Sequence, residues 1–273
     1  MNATSQINPT DIIFNMSKKK KLGIIQSRGL GDIVIALPIA NAYRKQGWEI
    51  YWPICEEFVS SVKDSAPWVK WIPIPTDSGR FFYDVPIERL HNLKVENALC
   101  LYQALTGHPE LVSRQEFQIT KFDQLKYHAA GVPFLEKWTL ADCITRDPKR
   151  EQALKDKLAL KEEEPYVVVH LQGSNHTATY DPSWIPEGWR VIEITEQTDC
   201  VFDWLGVLEG AEAIIAVDSV FSNIVDQMKI TESVDCYFIP RSHIHLTPVL
   251  GGSWTTLDPG EDVRKRIAVF KAS

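Results

Sequence analysis

The chain has 273 residues, of which 44% are hydrophobic and 24% charged, and its formal net charge is −7. This composition is typical of a globular protein with a sizeable core, and it excludes fibrous and intrinsically disordered classes. The five cysteines stand singly without a C-x-x-C pair, which argues against a disulfide framework and a zinc site and favours a reducing environment.

Charge is distributed unevenly along the chain. Residues 1–150 contain 19 Lys and Arg against 16 Asp and Glu, whereas residues 151–273 contain 10 against 20. A mildly basic first part indicates an anionic partner there, or simply two differently charged solvated surfaces. No apolar run reaches the ~18 residues of a membrane span, and the N-terminus lacks the order of a signal peptide.

The first part of the chain predicts a strand-and-helix alternation. Residues 1–17 are polar and unpatterned and predict a loose tail. A short apolar strand at 22–26 is followed by a glycine-containing turn and by a helix at 32–46 that stops before Gly47. The next elements are a strand at 49–54, a helix at 56–64 and a strand at 69–74. Such alternation predicts a parallel sheet covered by helices.

Prolines and aromatic residues interrupt the pattern between 78 and 142, and no strand is assigned there. A charged helix predicted at 147–164 opens at Asp147-Pro148 and marks a domain boundary. We therefore expect a tail, two domains and a closing helix, at 1–17, 18–155, 156–257 and 258–273.

The second part repeats the same alternation. Residues 166–171 (YVVVHL) form a β-branched run typical of a buried parallel strand. Further strands are predicted at 190–194 and 213–217, the latter followed by an amphipathic stretch to 228. A helix at 261–271 has an N-cap residue, a proline at its first position and early acidic residues.

Polar and glycine residues fill the turn between the first strand and the first helix, where open α/β sheets bind ligands. They are Ser27, Arg28, Gly29, Gly31 and Asp32, with Leu30 between the two glycines. As a dinucleotide fingerprint the turn is incomplete, because Val34 occupies the third glycine position. An ionised Asp32 would also repel a pyrophosphate at that helix N-terminus, which disfavours NAD.

The carboxylate of Asp32 is suited to another task. At the start of a helix and facing a cleft, it could accept the proton of a hydroxyl whose oxygen attacks an electrophilic carbon. The alternative is that Asp32 only caps the helix.

Two turns of the second part are candidate phosphate sites that need no metal. The turn after the 166–171 strand offers Gly173, Ser174 and His176, whose backbone and hydroxyl groups could hold a phosphate. The start of the helix after 213–217 offers Asp218, Ser219, Ser222 and Asn223. Because Ser and Asp are favoured N-caps, capping alone is the alternative for both turns.

The order of these segments and their residues resemble the sequences of glycosyltransferase family 9, the heptosyltransferase family. Residues 27–38 (SRGLGDIVIALP) look like its opening signature, a strand followed by Gly-Asp and by an apolar helix start with a proline six residues after the acid. The resemblance implies a GT-B fold, α/β with two Rossmann-like domains facing a cleft. It also implies Asp32 as general base, with Ser27, Arg28, Gly29 and Gly31 forming the acceptor-side loop.

The second part matches the family's donor-binding stretch only partially. Asp218 stands where the family pattern expects it, Ser219 replaces a threonine, Val220 replaces a glycine, and Asn223 stands at the position of a histidine. The turn at 173–174 resembles the family's phosphate-facing loop, but the lysine that often follows it is missing. Only His176 and Arg190 are near that turn in the sequence.

The resemblance implies an inverting, metal-independent transferase that uses a nucleotide-sugar as co-substrate and no other cofactor. The expected acceptor is a lipopolysaccharide-type carbohydrate, with a hydroxymethylated DNA base as second choice. The alternatives are a nucleotide-sugar epimerase of similar fold and a non-catalytic nucleotide-binding module. The expected location is the cytoplasm, including the inner-membrane surface.

Overall fold

The computed structural model describes residues 20–76, 79–102, 120–161, 163–174, 177–180, 185–240 and 247–257. The predicted tail at 1–17, His176 and the predicted helix at 261–271 lie outside these ranges. Among the helices within them, none is both long and apolar enough to cross a membrane.

The first sheet has four parallel strands in the order β3-β2-β1-β4. They are β1 Lys21–Ile25, β2 Glu49–Cys55, β3 Lys70–Ile74 and β4 Asn97–Cys100. The three strands predicted at 22–26, 49–54 and 69–74 are confirmed to within a residue at each end. Strand β4 was not predicted; it pairs with β1 in the register Ile24 to Leu99.

Five helices accompany this sheet and the segment that follows it. They are α1 Leu30–Lys45, α2 Val59–Val62, α3 Asp84–Asn92, α4 Phe122–Ala129 and α5 Pro148–Lys157. Asp147 caps α5 by accepting hydrogen bonds from the backbone N–H groups of Lys149 and Arg150. Helix α5 ends seven residues earlier than predicted and includes the position of the predicted domain boundary.

The second sheet has five parallel strands in the order β6-β5-β7-β8-β9. They are β5 Tyr166–His170, β6 Arg190–Glu193, β7 Ala213–Val217, β8 Asp235–Ile239 and β9 Trp254–Thr256. Two helices, α6 Leu205–Glu209 and α7 Val220–Gln227, precede and follow β7. The two parallel sheets with their helices confirm the predicted α/β class.

Helix α1 is buried nearly all round. Nine consecutive residues from Ile33 to Asn41 are buried, including Pro38 inside the helix. A helix that is apolar on every face needs neighbours on every side. Here α1 packs against β2, against the 3-10 segment Phe134–Asp142, and against α7 of the second part. The two parts consequently share one core cluster.

Buried carboxylates join residues 247–254 to both parts of the chain. Asp123 and Lys137 form an ion pair of 2.7 Å with both side chains fully buried, and both also bind the backbone of Val249. Asp226, near the end of α7, accepts hydrogen bonds from the Trp138 indole at 2.8 Å and from residues 251–254. The end of α7 is thereby tied to Trp138 of the 3-10 segment that packs against α1.

Candidate functional site

Asp32 lies in the first turn of α1. Gly29 precedes the helix with φ 83°, a left-handed conformation that glycine adopts at little cost, and a Cβ there would lie 2.6 Å from Asp32 Oδ2. No side chain caps α1 at Gly29. The carboxylate of Asp32 instead pairs with Lys126 of α4, at 3.0 Å between Nζ and Oδ1. Asp32 therefore makes a charged contact outside its own helix.

Lys126 is the buried partner in this ion pair. Its residue is 2% exposed, whereas the Asp32 side chain is 36% exposed. The ammonium also donates to Gln26 Oε1 at 2.6 Å and to the carbonyl of Leu101 at 2.8 Å. Two hydrogen bonds and one ion pair therefore hold this ammonium group. Lys126 was not identified from the sequence.

Tyr102 fixes the loop that leads to Asp32. Its phenolic oxygen accepts hydrogen bonds from the backbone N–H groups of Ser27 and Arg28, both at 2.9 Å. Burial raises the pKa of Tyr102 to about 12, so the phenol stays protonated. The Ser27 hydroxyl donates to the carbonyl of Phe81 and lies 2.9 Å from the Tyr102 hydroxyl. The predicted acceptor-side loop is thus rigidly held.

Arg28 leaves this loop toward solvent. It is exposed, and its guanidinium carbon lies 4.9 Å from the centre of the Phe81 ring. Phe82 stands next to Phe81 and Tyr102 and is 40% exposed. A cation and an exposed aromatic ring therefore lie close to the loop that carries Asp32.

Gly31 brings the starts of α1 and α7 together. A Cβ at Gly31 would stand 3.6 Å from the backbone nitrogen of Val220 and 3.6 Å from the Asn223 side chain. Two helix N-termini, each with a partial positive charge, therefore meet beside Asp32. The predicted sites at 27–32 and 218–223 are adjacent.

The hydroxyls of Ser219 and Ser222 cap α7. Ser219 Oγ accepts from the backbone N–H of Phe221 at 3.2 Å, and Ser222 Oγ accepts from the Ser219 N–H at 3.0 Å. These two residues therefore form the N-terminal cap of α7. Ser219 Oγ also lies 2.9 Å from Nδ1 of His170, the last residue of β5. The end of β5 and the start of α7 thus form one surface.

His170 is neutral in this surface. Burial lowers its pKa to about 4, and its ring packs edge-on against Phe221 at 4.8 Å. An uncharged imidazole contributes hydrogen bonds without charge. His170 lies inside a strand predicted from its β-branched neighbours, and its place in the site was not predicted from the sequence.

Asp218 and Asn223 are buried at 4% and 3% exposure. The amide nitrogen of Asn223 donates to the Ser219 carbonyl at 2.8 Å, and its Oδ1 has no hydrogen-bond partner among the residues that the structure describes. An amide oxygen buried in this way can accept a hydrogen bond from a ligand.

Lys121, just before α4, brings a positive charge toward Asp218. Its ammonium donates to Thr247 Oγ1 at 2.9 Å. Burial lowers the pKa of Lys121, while the carboxylates of Asp123 and Asp218 act in the opposite direction. This lysine of the first part therefore interacts with the predicted donor site of the second. It was also not identified from the sequence.

The turn at Gly173 and Ser174 lies beyond the carboxyl end of β5. An antiparallel bridge between Gln172 and Thr177 closes it, and Ser174 is exposed. Arg190 does not reach this turn. It is the first residue of β6, paired with Tyr166 at the opposite end of the sheet, and its guanidinium donates to the carbonyls of Leu158 and Ala159.

No protein-family model matches the chain, and no curated protein matches its sequence. Solved structures do match. A glycosyl transferase family 9 protein from Veillonella parvula has a TM-score of 0.57 at 12% identity, covering 93% of this chain and 91% of that one. The ADP-heptose LPS heptosyltransferase II of E. coli has a TM-score of 0.55 at 11% identity, covering 93% and 98%. The predicted resemblance to family 9 is confirmed at the level of the fold, which is that of GT-B glycosyltransferases.

Proposed function

We propose that this chain is an inverting, metal-independent glycosyltransferase that moves a sugar from a nucleotide-sugar to an acceptor hydroxyl. The observation that supports this most directly is the position of Asp32. Its carboxylate is partly exposed, is held by a buried lysine, and lies where the starts of α1 and α7 meet. A base and a phosphate-compatible helix N-terminus are both needed for such a transfer, and here they are neighbours.

The reaction we propose is a single displacement. Asp32 accepts the proton of the acceptor hydroxyl while the oxygen of that hydroxyl bonds to the anomeric carbon of the donor. The bond between that carbon and the diphosphate oxygen breaks on the opposite face, and the nucleoside diphosphate leaves with the bonding electrons. The configuration at the anomeric carbon is inverted.

Positive charge near the start of α7 supports the departure of the diphosphate. We propose that the backbone amides at the start of α7 and the ammonium of Lys121 stabilise the leaving charge, a role that often dominates catalysis. The turn at Gly173 and Ser174, together with His176, is proposed to contact the same diphosphate. Asp218 and Asn223 would orient the nucleotide-sugar beside them.

The proposed donor is a nucleoside-diphosphate sugar of the ADP-heptose kind, because one similar structure is named an ADP-heptose LPS heptosyltransferase. The proposed acceptor is a lipopolysaccharide-type carbohydrate. The exposed guanidinium of Arg28 suits an anionic acceptor, and the half-exposed Phe82 offers a face on which a sugar ring can pack.

Thermal stabilisation by a panel of nucleoside diphosphates and their sugar conjugates tests the donor site. A ligand at 100 times its dissociation constant should add about 2.7 kcal/mol of stability. One selective nucleotide-sugar would identify the donor, and sugar transfer to lipopolysaccharide core fragments would then establish the activity. Turnover of the donor without acceptor would instead favour an epimerase. Binding without turnover under any condition would leave a nucleotide-binding module.

A further inference from the structure

We propose that Lys126 is a positioning residue that holds the carboxylate of Asp32 in its reactive orientation, an inference that rests on the proposed function. Lys126 is not placed to touch substrate itself. Its residue is 2% exposed, and its ammonium donates hydrogen bonds to Gln26 Oε1 and the Leu101 carbonyl while forming an ion pair with Asp32 Oδ1. Any effect of Lys126 on transfer must therefore act through the groups that it binds.

The contacts of Lys126 determine which oxygen of Asp32 is available. Oδ1 is engaged at 3.0 Å by the ammonium, so Oδ2 is the oxygen left to receive a proton. Oδ2 lies 2.6 Å from the position that a Cβ of residue 29 would occupy. The glycine therefore leaves room for the carboxylate in this orientation, while the charge of Lys126 holds its other oxygen.

Lys126 also couples the orientation of Asp32 to the acceptor-side loop. Gln26 accepts from Lys126 through Oε1 and donates through Nε2 to the Arg28 carbonyl at 2.8 Å. The same ammonium therefore contacts the base directly and the loop through one amide group. Such shared support keeps a catalytic group within the narrow geometry that transfer requires.

A buried ammonium needs a neutralising charge, and Asp32 is the carboxylate that the described structure places in contact with it. Lys137 is a natural comparison, because it is equally buried and pairs with Asp123 rather than with a site residue. The same substitution, Lys to Met, can therefore be made at two buried ion pairs. Lys126 pairs with the proposed base, and Lys137 pairs with a different carboxylate.

The test is a double-mutant cycle on kcat with Lys126→Met and Asp32→Asn. Lys126→Met should lower kcat about 100-fold, as expected when a reacting group is misplaced, and change the donor KM less than threefold. In the Asp32→Asn background the same substitution should cause no further loss, because its effect requires the carboxylate. Lys137→Met should leave kcat per folded molecule within threefold of the wild type.

Thermal unfolding of the same variants provides a readout that does not depend on activity. Asp32→Asn leaves the buried ammonium without its countercharge and should lower Tm by about 5 °C. Adding Lys126→Met should recover most of that loss.

Two results would overturn the positioning role. One is a kcat of Lys126→Met within threefold of the wild-type value. The other is that Lys126→Met lowers kcat by the same factor in the wild-type and Asp32→Asn backgrounds. If Asp32→Asn transfers sugar as fast as the wild type, the proposed base is wrong, and the Tm cycle still decides whether the two side chains are a charge pair.

Discussion

Asp226→Asn should lower the free energy of unfolding by about 3 kcal/mol. In the structure Oδ2 accepts from the Trp138 indole at 2.8 Å, and Oδ1 accepts from the Gly251 and Gly252 backbones and the Trp254 indole at 2.9–3.0 Å. Asparagine keeps one oxygen, which can still accept from Gly251, Gly252 and Trp254, and it turns its NH₂ toward Trp138. One hydrogen bond to a charged group, worth about 1.5–3 kcal/mol, is lost, and a partly buried indole N–H is left unpaired.

Equilibrium urea unfolding followed by far-UV circular dichroism measures this loss. Trp138→Phe removes the donor that asparagine would face, so Asp226→Asn should cost about 1 kcal/mol less in that background. Asp235→Asn is a matched control at an exposed position and should stay within about 0.5 kcal/mol of the wild type. A loss below 1 kcal/mol for Asp226→Asn would refute the role of this carboxylate in joining the two parts.

Three further predictions concern the site. Between pH 6.5 and pH 4 the imidazole of residue 170 binds a proton in the unfolded chain but not in the folded one. Urea unfolding at the two pH values should therefore show that the stability of the wild type falls by about 3 kcal/mol more than that of His170→Gln. An equal pH dependence of the two proteins would contradict burial of this ring. Lys121→Met should raise the donor KM at least about tenfold in steady-state kinetics, since one lost charge contact with a diphosphate is worth about 1.4 kcal/mol or more; an unchanged KM would remove Lys121 from the donor site. Gly29→Ala places a Cβ against Asp32 at a residue with φ 83°, and it should lower kcat more than tenfold. A nucleoside diphosphate should raise the Tm of this variant as much as that of the wild type. Full activity would show that the loop adapts to the Cβ.

Local patterns predicted the elements that carry the site. The apolar runs that became β1 and β7 are each followed by a helix start, and both units occur within two residues of the predicted positions. These elements are predictable because periodicity and capping act between residues that are close in sequence. The parallel sheet followed from the same alternation.

The strands β4 and β9 could not be predicted in the same way. Strand β4 has only four residues, begins with an asparagine and gains its place by pairing with β1, more than 70 residues away. Such pairing is a tertiary effect that a local window does not contain. The short β9 likewise depends on β8 for its position.

The same limit applies to the site. Lys126 meets Asp32 across more than 90 residues, and Lys121 approaches Asp218 across nearly a hundred. In the sequence both lysines lie in the irregular segment 78–142, and His170 is an ordinary member of an apolar strand. Only folding reveals that these groups surround the predicted base and helix start, because burial and long-range contacts determine their chemistry.

Acceptor-dependent release of nucleoside diphosphate from the stabilising nucleotide-sugar, compared between wild type and Asp32→Asn, tests the central claim most directly. The wild type should release nucleoside diphosphate and glycosylated acceptor in equal amounts. Asp32→Asn should bind the donor within threefold of the wild-type affinity and lose at least about 100-fold in kcat, the usual contribution of a general base. Transfer by Asp32→Asn at the wild-type rate, with donor binding intact, would contradict the assignment of Asp32 as the base.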